Sequence, residues 1–216
     1  MPAAWVWRFF PWTSRRENKN ILEKLSDFDF VFDSRKILVR LGDKKRPAGP
    51  SKKVLEMIAR EAGRARTWLD PAAVLEVIDY SQTNRHPIFD RAVKVGLAVC
   101  TIGPRLEQEC AACFERNDLL RGMILDAIGS EAVIQVCRRA ERALADRARA
   151  LGLRPSKWYA PGFRSWEVEE QRFVFSKVAA AEIGVRLTDS CMMIPRKSGT
   201  FRVNFYADRA LITRRS

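Results

Sequence analysis

Residues 158–195 read WYAPGFRSWEVEEQRFVFSKVAAAEIGVRLTDSCMMIP, and the rest of the chain is best understood from this stretch outward. Pro161-Gly162 fits a type II turn, in which proline fixes one φ and glycine supplies the positive one. Trp158, Tyr159, Phe163 and Trp166 crowd both sides of that turn. Rigid backbone between aromatic walls suits the binding of a flat ligand. A turn capped by ordinary core aromatics has the same sequence. A helix with an apolar face follows the turn. Gly184 then breaks the chain before a short alternating segment that ends at Pro195.

Upstream, residues 119–151 carry one long apolar helical stripe through Leu120, Ile124, Ile128, Val136, Ala140 and Leu144, and Gly152 ends it. Gly129-Ser130 inside the stripe predicts either a close helix–helix approach or a kink. Pro104 suits the first turn of a preceding helix that runs to about Arg116. Residues 92–102, AVKVGLAVCTI, read as a buried strand. Residues 74–80 are β-rich, and Phe201, Val203 and Phe205 alternate as one more strand. Ser51 is placed to cap a helix whose apolar face is Val54, Leu55, Ile58 and Ala62. Nearer the start, residues 21–25 suggest a short helix. Phe28, Phe30 and Phe32 alternate with polar or smaller residues as a strand would, and residues 37–41 read as a second short strand. The sum is an α+β fold: a mostly antiparallel sheet with a helical layer.

Length and charge narrow the function. A chain of 216 residues makes one domain, or one domain with an appendage. The expected division is an N-terminal extension and first strand over 1–40 and the domain proper over 41–216. The 39 Lys and Arg residues outnumber the 26 Asp and Glu, for a net charge of +13, which favours acidic partners. The basic residues are scattered, with small clusters at 15–16, 44–46, 138–139 and 214–215. No dense stripe forms, so nucleic acid is the less favoured partner. Residues 1–12, MPAAWVWRFFPW, are too short to span a bilayer and lack the layout of a signal peptide. Residues 1–16 suit either peripheral contact with an anionic membrane or docking on protein, and docking is favoured.

Five cysteines and no secretory signal fit a reducing cytoplasm. Cys110 and Cys113 share a helix face, but nothing in the spacing of Cys100, Cys137 and Cys191 completes a metal set. Buried thiols are the simpler reading. The single histidine, His86, leaves little material for acid–base chemistry. No Ser-His-Asp or Cys-His arrangement or phosphate loop is visible, so no catalytic residue is assigned.

Three segments carry a resemblance. They are Thr101-Ile102-Gly103-Pro104-Arg105-Leu106-Glu107, then Leu125-Asp126-Ala127-Ile128-Gly129-Ser130, then Ala160-Pro161-Gly162-Phe163 continuing through Glu170-Gln171, Ile183-Gly184-Val185, Leu187-Thr188-Asp189-Ser190 and Met192-Met193-Ile194-Pro195. In this order and spacing the chain resembles stand-alone relatives of the activation domain of cobalamin-dependent methionine synthase. The resemblance implies S-adenosylmethionine as a ligand, held near Trp158, Tyr159, Ala160, Pro161, Gly162 and Phe163, with Asp189 where the family has glutamate. It implies cobalamin carried by a partner, a corrinoid protein or corrinoid methyltransferase, because no DxHxxG signature occurs here. The implied role is accessory to corrinoid methyl transfer. The family turn reads Arg-x-x-Pro-Gly-Tyr, and its arginine helps hold the ligand. Trp158 and Phe163 occupy the arginine and tyrosine positions in this chain. A binding module without chemistry, docking on an acidic protein, a membrane surface or nucleic acid, is the alternative.

Overall fold

The alternation Phe201, Val203, Phe205 lies at the centre of the molecule. In the computed structural model, which describes residues 23–42, 50–163 and 165–207, these residues belong to the ten-residue strand β7, Ser198–Ala207. The numbering follows the chain: β1 Glu23–Leu25, α1 Ser34–Arg40, α2 Lys52–Ala65, β2 Ala72–Asp79, β3 Lys94–Thr101, α3 Arg105–Glu115, α4 Leu119–Ala150, β4 Leu153–Pro155, α5 Gln171–Lys177, β5 Arg186–Leu187 and β6 Met193–Ile194. Five strands form one sheet in the order β1-β2-β3-β7-β4, and every pairing is antiparallel. β5 and β6 make a separate hairpin. The expected α+β architecture is therefore the one observed.

Both faces of the sheet are covered. Phe201, Val203 and Phe205 join Leu75, Ala98 and Cys100 in a core shared with Ile58 of α2, Leu106 of α3 and Ile124, Ile128, Val136 and Leu144 of α4. On the other face Val74, Ile78, Val95, Leu97 and Val99 pack with Phe89, Trp166, Val174 and Val185. Burial on two sides explains why β2 and β3 read as almost unbroken apolar runs. α4 crosses the first face closely at Gly96 of β3, where an added Cβ would come within 2.7 Å of Leu144 Cδ2 and 3.1 Å of Phe205 Cζ. Gly96→Ala is expected to destabilise the protein by about 1–3 kcal/mol through overpacking, measured by chemical denaturation. A variant as stable as the parent would show that α4 can shift outward at no cost.

α4 is 32 residues long, about 48 Å at 1.5 Å per residue. Gly129 within it marks close approach: a Cβ there would lie 3.0 Å from Leu106 Cδ2 of α3. The N-terminal segment runs back along this helix and is fastened at four places. Arg121 Nε donates to Glu61 Oε2 at 2.9 Å. Arg40 Nη2 donates to Glu131 Oε2 at 2.9 Å. The Gln135 amide takes both the N–H and the C=O of Val31, at 3.0 and 2.9 Å. Arg147 pairs with Glu23.

Three sequence-based expectations are corrected here. Glu23–Leu25 is a strand paired with β2, not the end of a helix; residues 21 and 22 lie outside the described set. The Phe28–Phe30–Phe32 alternation is real in burial, with Phe30 buried and Val31 exposed. Yet the segment joins no ladder, because side chains take up its backbone groups: Gln135 holds Val31, and Arg66 Nη2 donates to the Phe30 carbonyl at 2.7 Å. Residues 37–41 are not a strand, since Ser34–Arg40 form α1. Asp33 caps α1 by accepting from the Arg35 N–H at 2.8 Å, and Ile37 and Leu38 are buried. Residues 1–16 and the basic clusters at 44–46 and 214–215 lie outside the described residues.

Candidate functional site

The turn forms as its sequence demands. Gly162 has φ 85°, and Phe163 N–H donates to the Ala160 carbonyl at 3.3 Å, closing the type II geometry around Pro161. Gly162 N–H also donates to the Trp166 carbonyl at 2.7 Å, so the turn closes on Trp166. Tyr159 ties the turn to the sheet: its N–H donates to the Arg202 carbonyl at 3.0 Å, and Arg202 N–H returns a bond to the Tyr159 carbonyl at 2.8 Å. Two residues upstream of Trp158, Ser156 N–H reaches the Asn204 carbonyl at 2.8 Å. The backbone of the turn is thus held on β7.

Trp158, Tyr159, Ala160 and Phe163 line a cleft of about 180 Å³. Trp158 is 37% exposed and stands edge-on to Phe201, with ring centroids 5.5 Å apart. Phe163 is 64% exposed. Pro161 and Gly162 shape the turn without lining the cleft. Asp189 stands elsewhere, exposed on the β5–β6 turn, where its carbonyl accepts from the Arg172 guanidinium. Trp166 is fully buried beneath the turn, edge-to-face with Phe89 at 5.8 Å.

Arg202 was not singled out from the sequence. It sits behind the cleft, 3% exposed, with its guanidinium 4.9 Å from the Tyr159 ring, 5.7 Å from Phe89 and 5.9 Å from Trp166. No carboxylate among the described residues pairs with it, and its Nε is buried without a hydrogen-bond partner. Burial lowers its pKa to about 10, against the opposing pull of Tyr206 and Tyr159. The group therefore stays charged at neutral pH, and three aromatic faces provide its main compensation. A strand residue between Phe201 and Val203 reads as outward-facing, and it is buried by a covering layer that includes Phe89, Tyr159 and Trp166.

The cysteines Cys100, Cys110, Cys113, Cys137 and Cys191 are free and buried. Burial, with Asp126 adding to it, pushes the Cys110 thiol up to about 12, so it remains protonated and unreactive. Among the described residues no group of three or more His, Cys, Asp or Glu is arranged to hold a metal ion. His86 Nδ1 accepts from the Ile88 N–H at 3.2 Å and caps a short turn. No helix among the described residues is long and apolar enough to cross a membrane.

These features define an aromatic cleft on an α+β scaffold. No protein-family model and no curated protein matches the chain. Among solved structures the chain is similar to the MetH reactivation domain bound to AdoHcy, with a TM-score of 0.60 and 13% sequence identity over 88% of this chain and 80% of that one. The protein has the fold of that reactivation domain.

Proposed function

We propose that the protein serves corrinoid-dependent methyl transfer as a reactivation-type module, binding an adenosyl ligand in the Trp158–Phe163 cleft and presenting it to a partner that carries cobalamin. The observation that carries this reading is the cleft itself, built by a type II turn pinned to β7 on a fold that elsewhere holds AdoHcy. A space of about 180 Å³ is smaller than the ~300–1,000 Å³ of whole-ligand pockets. It suits one flat heterocycle, such as adenine, against Trp158 and Tyr159. The residues fit the adenosyl part and not the amino-acid part. Where the family turn has an arginine this chain has Trp158, and an indole offers one N–H and no charge. Asp189 is not among the residues that line the cleft.

The chain's own contribution is positioning: it orients the ligand and keeps water from one of its faces. Methyl donation belongs to the sulfonium ligand, and the cobalt chemistry belongs to the partner's cofactor. S-adenosylmethionine is therefore expected to bind weakly to the unmodified protein. Restoring the guanidinium in Trp158→Arg is expected to strengthen binding by about tenfold or more, given the ~1.5–3 kcal/mol of a charged hydrogen bond. Isothermal titration with S-adenosylmethionine and AdoHcy checks both statements. Tight binding by the unmodified protein would overturn the role given to Trp158. No binding of either ligand by either protein would remove the adenosyl site and leave the rival reading, a docking module without a ligand. Among the described residues no charged side chain lines the cleft, and that observation favours the rival.

A further inference from the structure

A second hollow, of about 510 Å³, opens between α4 and the extended segment 27–31. One wall is a stripe of α4 in which Gln135, Arg138, Arg139 and Arg142 recur at i, i+3, i+4 and i+7 and so share one face. Lys36 of α1 also lines it, and the opposite wall brings Phe28 and the 74%-exposed Val31. Gln135 is committed to the Val31 backbone, and Lys36 lies 3.9 Å from Glu131. Arg138, Arg139 and Arg142 are exposed and have no ion pair among the described residues. Like charges at helical spacing repel by a few tenths of a kcal/mol per pair, and a bound anion would reverse the sign of that term.

Arg142 also borders a neighbouring hollow of about 450 Å³ lined by Arg149 and Lys157 but also by Glu141 and Asp146, with Asp146 paired to Arg149 at 2.7 Å. Lys157 precedes Trp158 of the aromatic cleft. That second hollow is of mixed charge, so the run of arginines without an ion pair among the described residues is the one in the α4 groove.

We propose that an acidic segment of a partner protein docks in the α4 groove, with its carboxylates on Arg138, Arg139 and Arg142. The guanidinium fork matches a carboxylate in plane and spacing. The groove also contains Asp27 and Asp29, which disfavour a continuous phosphate chain but can be bypassed by a peptide whose charges are spaced. Phe28 and Val31 give such a peptide apolar contacts. That the partner is a corrinoid carrier rests on the proposed function; the groove's affinity for an acidic segment does not.

The probe is a short fluorescein-labelled peptide of glutamate and leucine, with binding read by anisotropy at low salt. The full chain is expected to bind it, and Arg138→Glu/Arg142→Glu to weaken it by about tenfold or more. Arg138→Gln/Arg142→Gln should give a smaller loss in the same direction. Lys52→Glu/Lys53→Glu makes the same charge change outside the groove and should shift affinity less than about twofold. Oligothymidylate and phosphatidylserine vesicles should bind more weakly than the peptide. The proposal fails if the peptide does not bind, if the Lys52/Lys53 variant loses as much as the groove variant, or if oligonucleotide or vesicle is preferred. Titration of S-adenosylmethionine into the groove variants should match the parent, so failure of the adenosyl site and failure of the groove are separate results.

Discussion

Trp166→Ala is expected to lower stability by about 4 kcal/mol, in the range for removing a fully buried aromatic side chain, and to lower the thermal midpoint by roughly 8–16 °C for a chain of this size. Trp166 has no exposed surface, meets Phe89 edge-to-face and closes the Pro161-Gly162 turn through its backbone. It also supplies one of the three rings around Arg202. Truncation would leave a cavity and at the same time uncover part of a guanidinium that has no counterion among the described residues. Trp166→Phe should cost much less. The indole Nε1 is buried without a partner, so phenylalanine sheds an unsatisfied donor while keeping most of the ring. Chemical denaturation of the three proteins checks the order. If the alanine variant fell within about 1 kcal/mol of the parent, the second core would not be what holds the turn.

Glu61→Ala is the next largest, with an expected loss of about 3 kcal/mol from breaking a buried ion pair. Glu61 is fully buried on α2 and receives Arg121 at 2.9 Å, with Arg60 and Arg64 each at 3.3 Å. Burial alone would raise its pKa, but the Arg121 hydrogen bond and charge, with help from Arg60 and Arg64, outweigh burial and hold it below the usual carboxylate range. The sign of the pH dependence follows. A carboxyl group whose pKa is depressed on folding contributes stability above its unfolded pKa, about 4.3, and loses it as pH falls through the folded value. The gap in stability between the parent and Glu61→Gln should therefore be widest near neutral pH and should narrow below about pH 4. A gap that stayed constant between pH 7 and pH 3 would mean that Glu61 acts through packing and not through charge.

Much of this architecture is legible along the chain, for identifiable reasons. The Ser51 cap and the Val54–Ile58–Ala62 face specify α2 locally, and Ser51 does accept from the Val54 N–H. The long apolar stripe specifies α4, and Gly152 closes it with φ 70°. Short elements are different. Five residues from Ile37 to Leu41 satisfy both periodicities, and the deciding features are the Asp33 cap and the burial of Ile37 and Leu38. β4, only three residues, is defined by its pairing with β7 and has no signature of its own. At the site, Pro161-Gly162 announces the turn, and Trp158, Tyr159, Ala160 and Phe163 do converge on one cleft. Asp189, in the same segment of resemblance, is exposed on the β5–β6 turn and does not line that cleft. Arg202 was illegible because strand alternation reports one covered face, and here a distant segment covers the other.

The fastenings along α4 also bear on how the N-terminal segment comes loose. They join residues 60, 91, 104 and 124 positions apart in the sequence, for Glu61, Arg40, Val31 and Glu23 in turn. Closing a loop costs an entropy that grows only with the logarithm of its length, about 0.6 kcal/mol for each doubling. Once Glu61 has met Arg121, the remaining three contacts together enlarge the closed loop by about one doubling. They can therefore form in succession from the centre of the chain toward its start, and they open in the reverse order. Amide protons in the extended stretch around Val31 should exchange faster than those of α2, and the strand at Glu23 should be the first part of the sheet to open.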